Sequence, residues 1–287
     1  MKKLRDYYAT AYSKGESGLS SQQDEIYVKI AREAATRYRV KENLESFVLA
    51  QGLTGKRALD VGAGRGYLQD VVQDYTGLDI SPSAQRFFHK RFVLGSATSM
   101  PFADNSYDLI WSIWVLEHVP NPEQALREMR RTVKDGGLLY LMPAWNCGSW
   151  LAEGYQVRPY SDLTVRQKLL KAVHMPHLII RNLGVVSTAP MSWARWKWKG
   201  GPNQLHYTRL EPNYTTYWQA DSDAVNSLER YEMLLWFLSR GDECLNCDQG
   251  GVNTMAADQR LIIRVHKSVP APATLTQDGA SSAGGSH

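Results

Sequence analysis

Gly62, Gly64 and Gly66 alternate through a short stretch that opens on the apolar run Ala58, Leu59 and Val61, with Asp60 set inside that run. Such a turn leaving a strand lets the backbone itself touch a ligand, because glycine reaches left-handed conformations and removes the Cβ that would stand in the way. Residues 67–72 behind it read as a helix. A second short run, 75–80, carries Asp79 to the end of the next strand, where an ionised carboxylate can accept hydrogen bonds from both hydroxyls of a ribose. The chemistry implied is the holding of a nucleoside. A dinucleotide fingerprint needs G-x-G-x-x-G, and this chain has G-x-G-x-G.

The set Asp60, Gly62, Gly64, Gly66 and Asp79 resembles the first two motifs of class I S-adenosylmethionine-dependent methyltransferases. Residues 95–110 are similar to that family's adenine-side loop running into strand four. Residues 111–119 resemble the segment after that strand, and 134–141 the turn into strand five. The resemblance covers about residues 55–145. It implies S-adenosyl-L-methionine as cofactor, with the backbone of Gly62, Ala63, Gly64 and Gly66 close to it and Asp79, followed by Ile80, at the ribose. Asp60 would hold the loop and favour the ammonium-bearing aminoacyl end. Ser96, Ala97 and Thr98 would border the adenine, although family members often carry Asp where this chain has Ser96. Trp111 and Ser112 would approach the methionine portion.

Methyl transfer is an in-line displacement, so the protein mainly aligns the acceptor and excludes water. A hydroxyl acceptor also needs a base. His118, just beyond strand four, is the candidate, since imidazole takes a proton near neutral pH. The alternative for it is a packed or turn-capping histidine. His206, Asp221 and Asp223 are rivals, with Asp223 equally suited to open a helix. Glu117 is expected to face solvent. No metal is needed for this chemistry, and Cys244-x-x-Cys247 offers two of the four ligands that a zinc site requires. Tyr7, Tyr8 and Tyr12 suit either a lid beside the sulfonium or an ordinary helix face.

The elements that must position these groups form an α/β repeat. We expect a doubly wound, mostly parallel seven-stranded sheet, Rossmann-like, with a cap inserted after strand five. The divisions are an N-terminal helical lid (1–50), a cofactor-binding core (51–143), an acceptor-binding cap (144–217), the C-terminal part of the core (218–268) and a disordered tail (269–287). Residues 21–50 read as helical, with Ile26, Ile30, Ala34 and Tyr38 at four-residue steps. Ser81-Pro82 and Asn121-Pro122 read as helix starts. The second of these helices should run to about Val133 and be stopped by Gly136. Another helix is expected from the region of Asp221 to Arg240, with a closing strand at 260–265.

The cap carries five of the nine tryptophans. Residues 163–182 look like a basic amphipathic helix interrupted at Pro176. From 155 to 210, Arg158, Arg166, Lys168, Lys171, Arg181, Arg195, Lys197, Lys199 and Arg209 face Asp162 alone. The 193–199 run of Trp and Lys suits sugar or base stacking, a membrane interface, or simply a strand with Trp inward and Lys outward. A net charge of +4 is too mild to imply nucleic acid. With three cysteines and no apolar run of bilayer length, the expectation is a cytoplasmic monomer or homodimer. The acceptor would be a small molecule or glycan precursor methylated on a hydroxyl, with peripheral membrane contact a further option. The alternatives are a nucleic-acid methyltransferase using the basic cap and a catalytically silent cofactor-binding protein.

Overall fold

The computed structural model describes residues 6, 8, 22–182, 189–214, 219–247 and 259–267. The apolar runs become strands β1 (Arg57–Val61), β2 (Asp74–Asp79), β3 (Arg91–Leu94), β4 (Tyr107–Ile113) and β5 (Val133–Met142). The short β6 (Tyr207–Arg209) lies within the cap region, and β7 (Asn226–Leu228), β8 (Glu243–Cys244) and β9 (Leu261–Arg264) follow it. Seven of these form one sheet in the order β3-β2-β1-β4-β5-β9-β8. β1 to β5 are mutually parallel, and β9 runs antiparallel to β5 and β8. This is the α/β, Rossmann-like sheet that the repeat implies.

The helices are α1 (Gln22–Arg37), α2 (Val40–Ala50), α3 (Pro122–Thr132), α4 (Trp150–Glu153), α5 (Val165–Asn182), α6 (Ala189–Lys199) and α7 (Arg230–Leu238). Alternation along the strands divides the core between the two sheet faces. Leu59, Val61, Leu78, Ile110 and Leu139 pack with Ala125, Leu126 and Met129 of α3 and with Met233, Trp236 and Phe237 of α7. Ala58, Tyr75, Leu109, Trp111 and Tyr140 pack on the other face with Val40, Leu44, Phe47 and Val48 of α2.

Several local expectations are corrected. Residues 67–72 are a chain of turns, not a helix: Gly66, Gln69 and Val71 each donate to the carbonyl three residues back. Positive φ at Gly62, Gly64 and Gly66 (78°, 51°, 68°) leaves too few residues before β2 to offset helix nucleation. The helical region expected over 21–50 is present as two helices, divided where Arg39 takes φ 49°. Residues Pro82–Phe87 form a 3-10 helix, and the Ser81 side chain does not cap it. Asn121 does cap α3, accepting from the Gln124 N–H, but α3 passes directly into β5, so Gly136 lies inside that strand. The helix expected from Asp221 is strand β7 followed by α7, and α5 runs through Pro176 without a break.

The 193–199 run is helical, within α6. Trp193 and Trp196 lie one turn apart on one face, with ring centroids 5.2 Å from each other, a pairing that helical spacing provides and a strand does not. Cys244 and Cys247 are joined by a disulfide. Tyr7, Tyr12 and the expected tail lie outside the described residues. Among the described residues, no helix is long and apolar enough to cross a membrane.

Candidate active site

A cavity of about 410 Å³ opens at the carboxyl ends of β1, β2 and β4, where ligands of open α/β sheets bind. Of the residues singled out in the sequence, Gly62, Asp79, Ile80, Ser96, Ala97, Thr98 and His118 line it. Tyr8, Leu78, Gly95, Trp114, Val115, Val119, Pro120, Asn121 and Gln124 complete the wall. Ala63, Gly64, Gly66, Asp60, Trp111 and Ser112 do not reach it. Asp60 and Trp111 alternate onto the face covered by α2. There the Tyr75 hydroxyl donates to Asp60 Oδ2 at 2.9 Å, and burial pushes the Asp60 carboxyl up to about 7. Trp111 and Ser112 are fully enclosed.

Asp79 is set by its backbone surroundings. Gly64 N–H donates to Oδ2 and Ser81 N–H to Oδ1, each at 2.8 Å. Gly64 therefore contributes through the carboxylate it orients rather than through the cavity wall. Gly62 has φ 78°, and a Cβ there would lie 2.3 Å from Val115 Cγ2. Val115 thus rests directly on the glycine turn. Its neighbour Trp114 takes φ 54°, rare for a bulky residue, and donates its N–H to Met142 O at 2.8 Å.

His118 meets one carboxylate from its own turn and one from a distant part of the chain. Its Nδ1 lies 3.5 Å from Asp223 Oδ2, and its Nε2 lies 3.7 Å from Glu117 Oε1. The Tyr8 hydroxyl donates to the same Asp223 oxygen at 2.7 Å. Burial presses the imidazole pKa down, but the charges of Asp223, Glu117 and Asp221 outweigh it and hold the pKa at about 9. Glu117, expected in solvent, is completely buried, and that burial raises its carboxyl pKa. Asp223 is also buried and opens no helix. Two bonds fasten this region to the core: Val225 N–H donates to Glu117 O at 2.9 Å, and Asn226 Nδ2 donates to Val119 O at 2.7 Å. His206, a rival candidate, sits elsewhere, with Nδ1 3.2 Å from Glu232 Oε2.

Residues 59–141 match the family model described as "Methyltransferase domain". Over that stretch, less than a third of the chain, the protein is similar to methyltransferase domains. The chain is 39% identical over 94 residues to a demethylmenaquinone methyltransferase of Renibacterium salmoninarum, covering 30% of this chain and 40% of the relative. It is 41% identical over 98 residues to an uncharacterized methyltransferase of Mycobacterium tuberculosis, covering 30% and 39%. The chain thus spans about two fifths of the length of these curated relatives. Among solved structures, the YcgJ protein of Bacillus subtilis is 27% identical with a TM-score of 0.33, covering 36% of this chain and 51% of that one. An arsenic(III) S-adenosylmethionine methyltransferase of Chlamydomonas reinhardtii is 25% identical with a TM-score of 0.31, covering 33% and 40%.

Proposed function

We propose that the protein transfers a methyl group from S-adenosyl-L-methionine to a hydroxyl of a sugar, glycan precursor or secondary metabolite. One observation carries the reading: the carboxylate suited to a ribose, Asp79, and the proton-accepting candidate, His118, line the same cavity. The nucleoside half of the cofactor fits the residues present. Asp79 has both oxygens aligned by backbone N–H groups and keeps further lone pairs for a diol, while Leu78, Ile80 and Ala97 supply apolar wall. The turn at Gly62 has no Cβ, and the space beside it is taken by Val115, so Val115 borders the end where the sulfonium would lie.

When bound, the cofactor supplies the electrophilic methyl carbon and its own leaving group. The chain's work is to hold the acceptor in line, exclude water and remove a proton. His118 is the group placed to take that proton when it is itself unprotonated; Asp223, Glu117 and Asp221 hold its pKa at about 9, so turnover by this route rises with pH towards that value. The acceptor enters beneath the cap, and the cytoplasm is the proposed workplace of a monomer or homodimer. Exposed Trp198 and Met191 next to Lys197 and Lys199 favour a variant of this reading in which the acceptor is lipid-linked and α6 rests on the membrane surface.

Isothermal calorimetry with S-adenosyl-L-methionine tests the donor assignment. Saturable binding is expected, with Asp79→Ala weakening it at least about tenfold through loss of charge-assisted hydrogen bonds. Absence of binding at millimolar concentration refutes the reading. Turnover on a panel of hydroxyl acceptors, with the methylated product identified by mass, tests the acceptor class.

A further inference from the structure

Three carboxylates and one imidazole converge where β4 meets the segment before β7. One ligand atom each from Glu117, His118 and Asp221 lie within 4.8 Å of one another. Asp223 stands behind His118, fixed by Tyr8. The separations are informative. His118 is 3.7 Å from Glu117 and 3.5 Å from Asp223, too far for good hydrogen bonds. Neighbouring donors around a divalent ion stand roughly 3.0–3.6 Å apart when each bond is about 2.1 Å, so Glu117 and His118, at 3.7 Å, need close only slightly to share one. Both Glu117 oxygens, His118 Nδ1 and Asp223 Oδ1 are buried without a hydrogen-bond partner. A carboxylate at zero exposure with neither oxygen satisfied costs several kcal/mol unless a cation meets it.

We propose that Glu117, His118 and Asp221 hold a divalent cation beside the donor cavity, and that the acceptor hydroxyl binds to it. The inference deepens the methyltransferase reading and rests on it for the identity of the acceptor. The mixed nitrogen and carboxylate set suits manganese, iron or zinc better than calcium, which prefers oxygen alone. An ion so placed lowers the pKa of a hydroxyl oxygen bound to it. The O–H bond then breaks with its proton passing to the cavity-lining Tyr8 hydroxyl as that hydroxyl gives its own proton to Asp223, and the freed electron pair forms the new O–C bond as the donor's C–S bond breaks and its electrons stay on sulfur. His118 in this arrangement is a neutral ligand. Asp223, held by the Tyr8 hydroxyl, takes over the role of base.

The test uses the full chain stripped with chelator and titrated with manganese, followed by electron paramagnetic resonance. One ion per chain at micromolar concentration is expected, with Glu117→Gln and Asp221→Asn each weakening binding at least about tenfold. Both substitutions are isosteric, and far-ultraviolet circular dichroism checks that the variants fold. Failure of the wild-type chain to bind manganese, zinc or ferrous ion overturns the site, as does binding that neither substitution changes. Calorimetry with S-adenosyl-L-methionine on the stripped protein separates the two ideas: donor binding without ion binding removes the metal site and leaves His118 as base. Ion binding without donor binding leaves the metal site and removes the methyltransferase reading.

Discussion

Replacing Asp60 with Asn should make the protein more stable at alkaline pH and change little at acid pH. Asp60 lies between Tyr75 and Trp111, whose rings are 5.8 Å apart, and burial raises its pKa from 3.8 to about 7. Between those two values the folded chain holds a proton that the unfolded chain has released. Unfolding free energy therefore falls as pH rises through this window, and is flat below about 4 and above about 8. Roughly three pKa units at about 1.4 kcal/mol each give a total near 4 kcal/mol, of which about 3 kcal/mol lies between pH 5 and 8. Asn keeps an acceptor for the Tyr75 hydroxyl and never ionises. Urea unfolding followed by tryptophan fluorescence at pH 5, 6, 7 and 8 reads the effect. Other titrating groups cancel in the difference between variant and parent. A stability difference that stays constant across this range refutes the argument.

Other outcomes follow from the same geometry. Gly62→Ala combines a φ of 78° with a Cβ 2.3 Å from Val115, and should cost about 1–3 kcal/mol in chemical denaturation and weaken donor binding in calorimetry. Tyr8→Phe removes the bond to Asp223. It should lower turnover while S-adenosyl-L-methionine affinity changes less than threefold; an unchanged kcat contradicts a role for that bond. Arg130 holds the buried Asp242 through two contacts at 2.9 and 3.1 Å. Arg130→Ala should lower stability by about 3–5 kcal/mol, seen as a drop in melting temperature, because it strands a buried charge.

The donor half was legible because its signals are local. A glycine turn, a strand-end carboxylate and the Asn121-Pro122 helix start each declare themselves within a few residues, and the sheet follows from apolar runs of strand length. The failures share a cause in tertiary context. Nothing near Glu117 marks it as buried; that depends on Val225 and Asn226 crossing over it from more than a hundred residues away. Asp60 sits in the glycine motif, yet strand alternation turns it to the face opposite Leu59, away from the cavity. The Trp193 to Lys199 run fits period two as text, while its Trp193–Trp196 contact and the Ser192 bond to Glu232 on α7 make it a helix. Asp221 and Asp223 were visible as candidates, but their meeting with His118 was not.

The two bonds from Val225 and Asn226 make the reactive cluster a split element. One half, Glu117 and His118, sits in a 3-10 turn just beyond β4 of the donor-binding sheet; the other, Asp221 and Asp223, arrives only when a ribbon more than a hundred residues later closes onto it. Local contacts form early and distant ones late, because the loop between them must first be ordered. A chain that has built its glycine turn and Asp79 but has not yet docked the ribbon would have the means to capture a donor and no means to use it. Competence for chemistry would then be among the last properties the folding molecule acquires, and among the first it loses when the ribbon peels away.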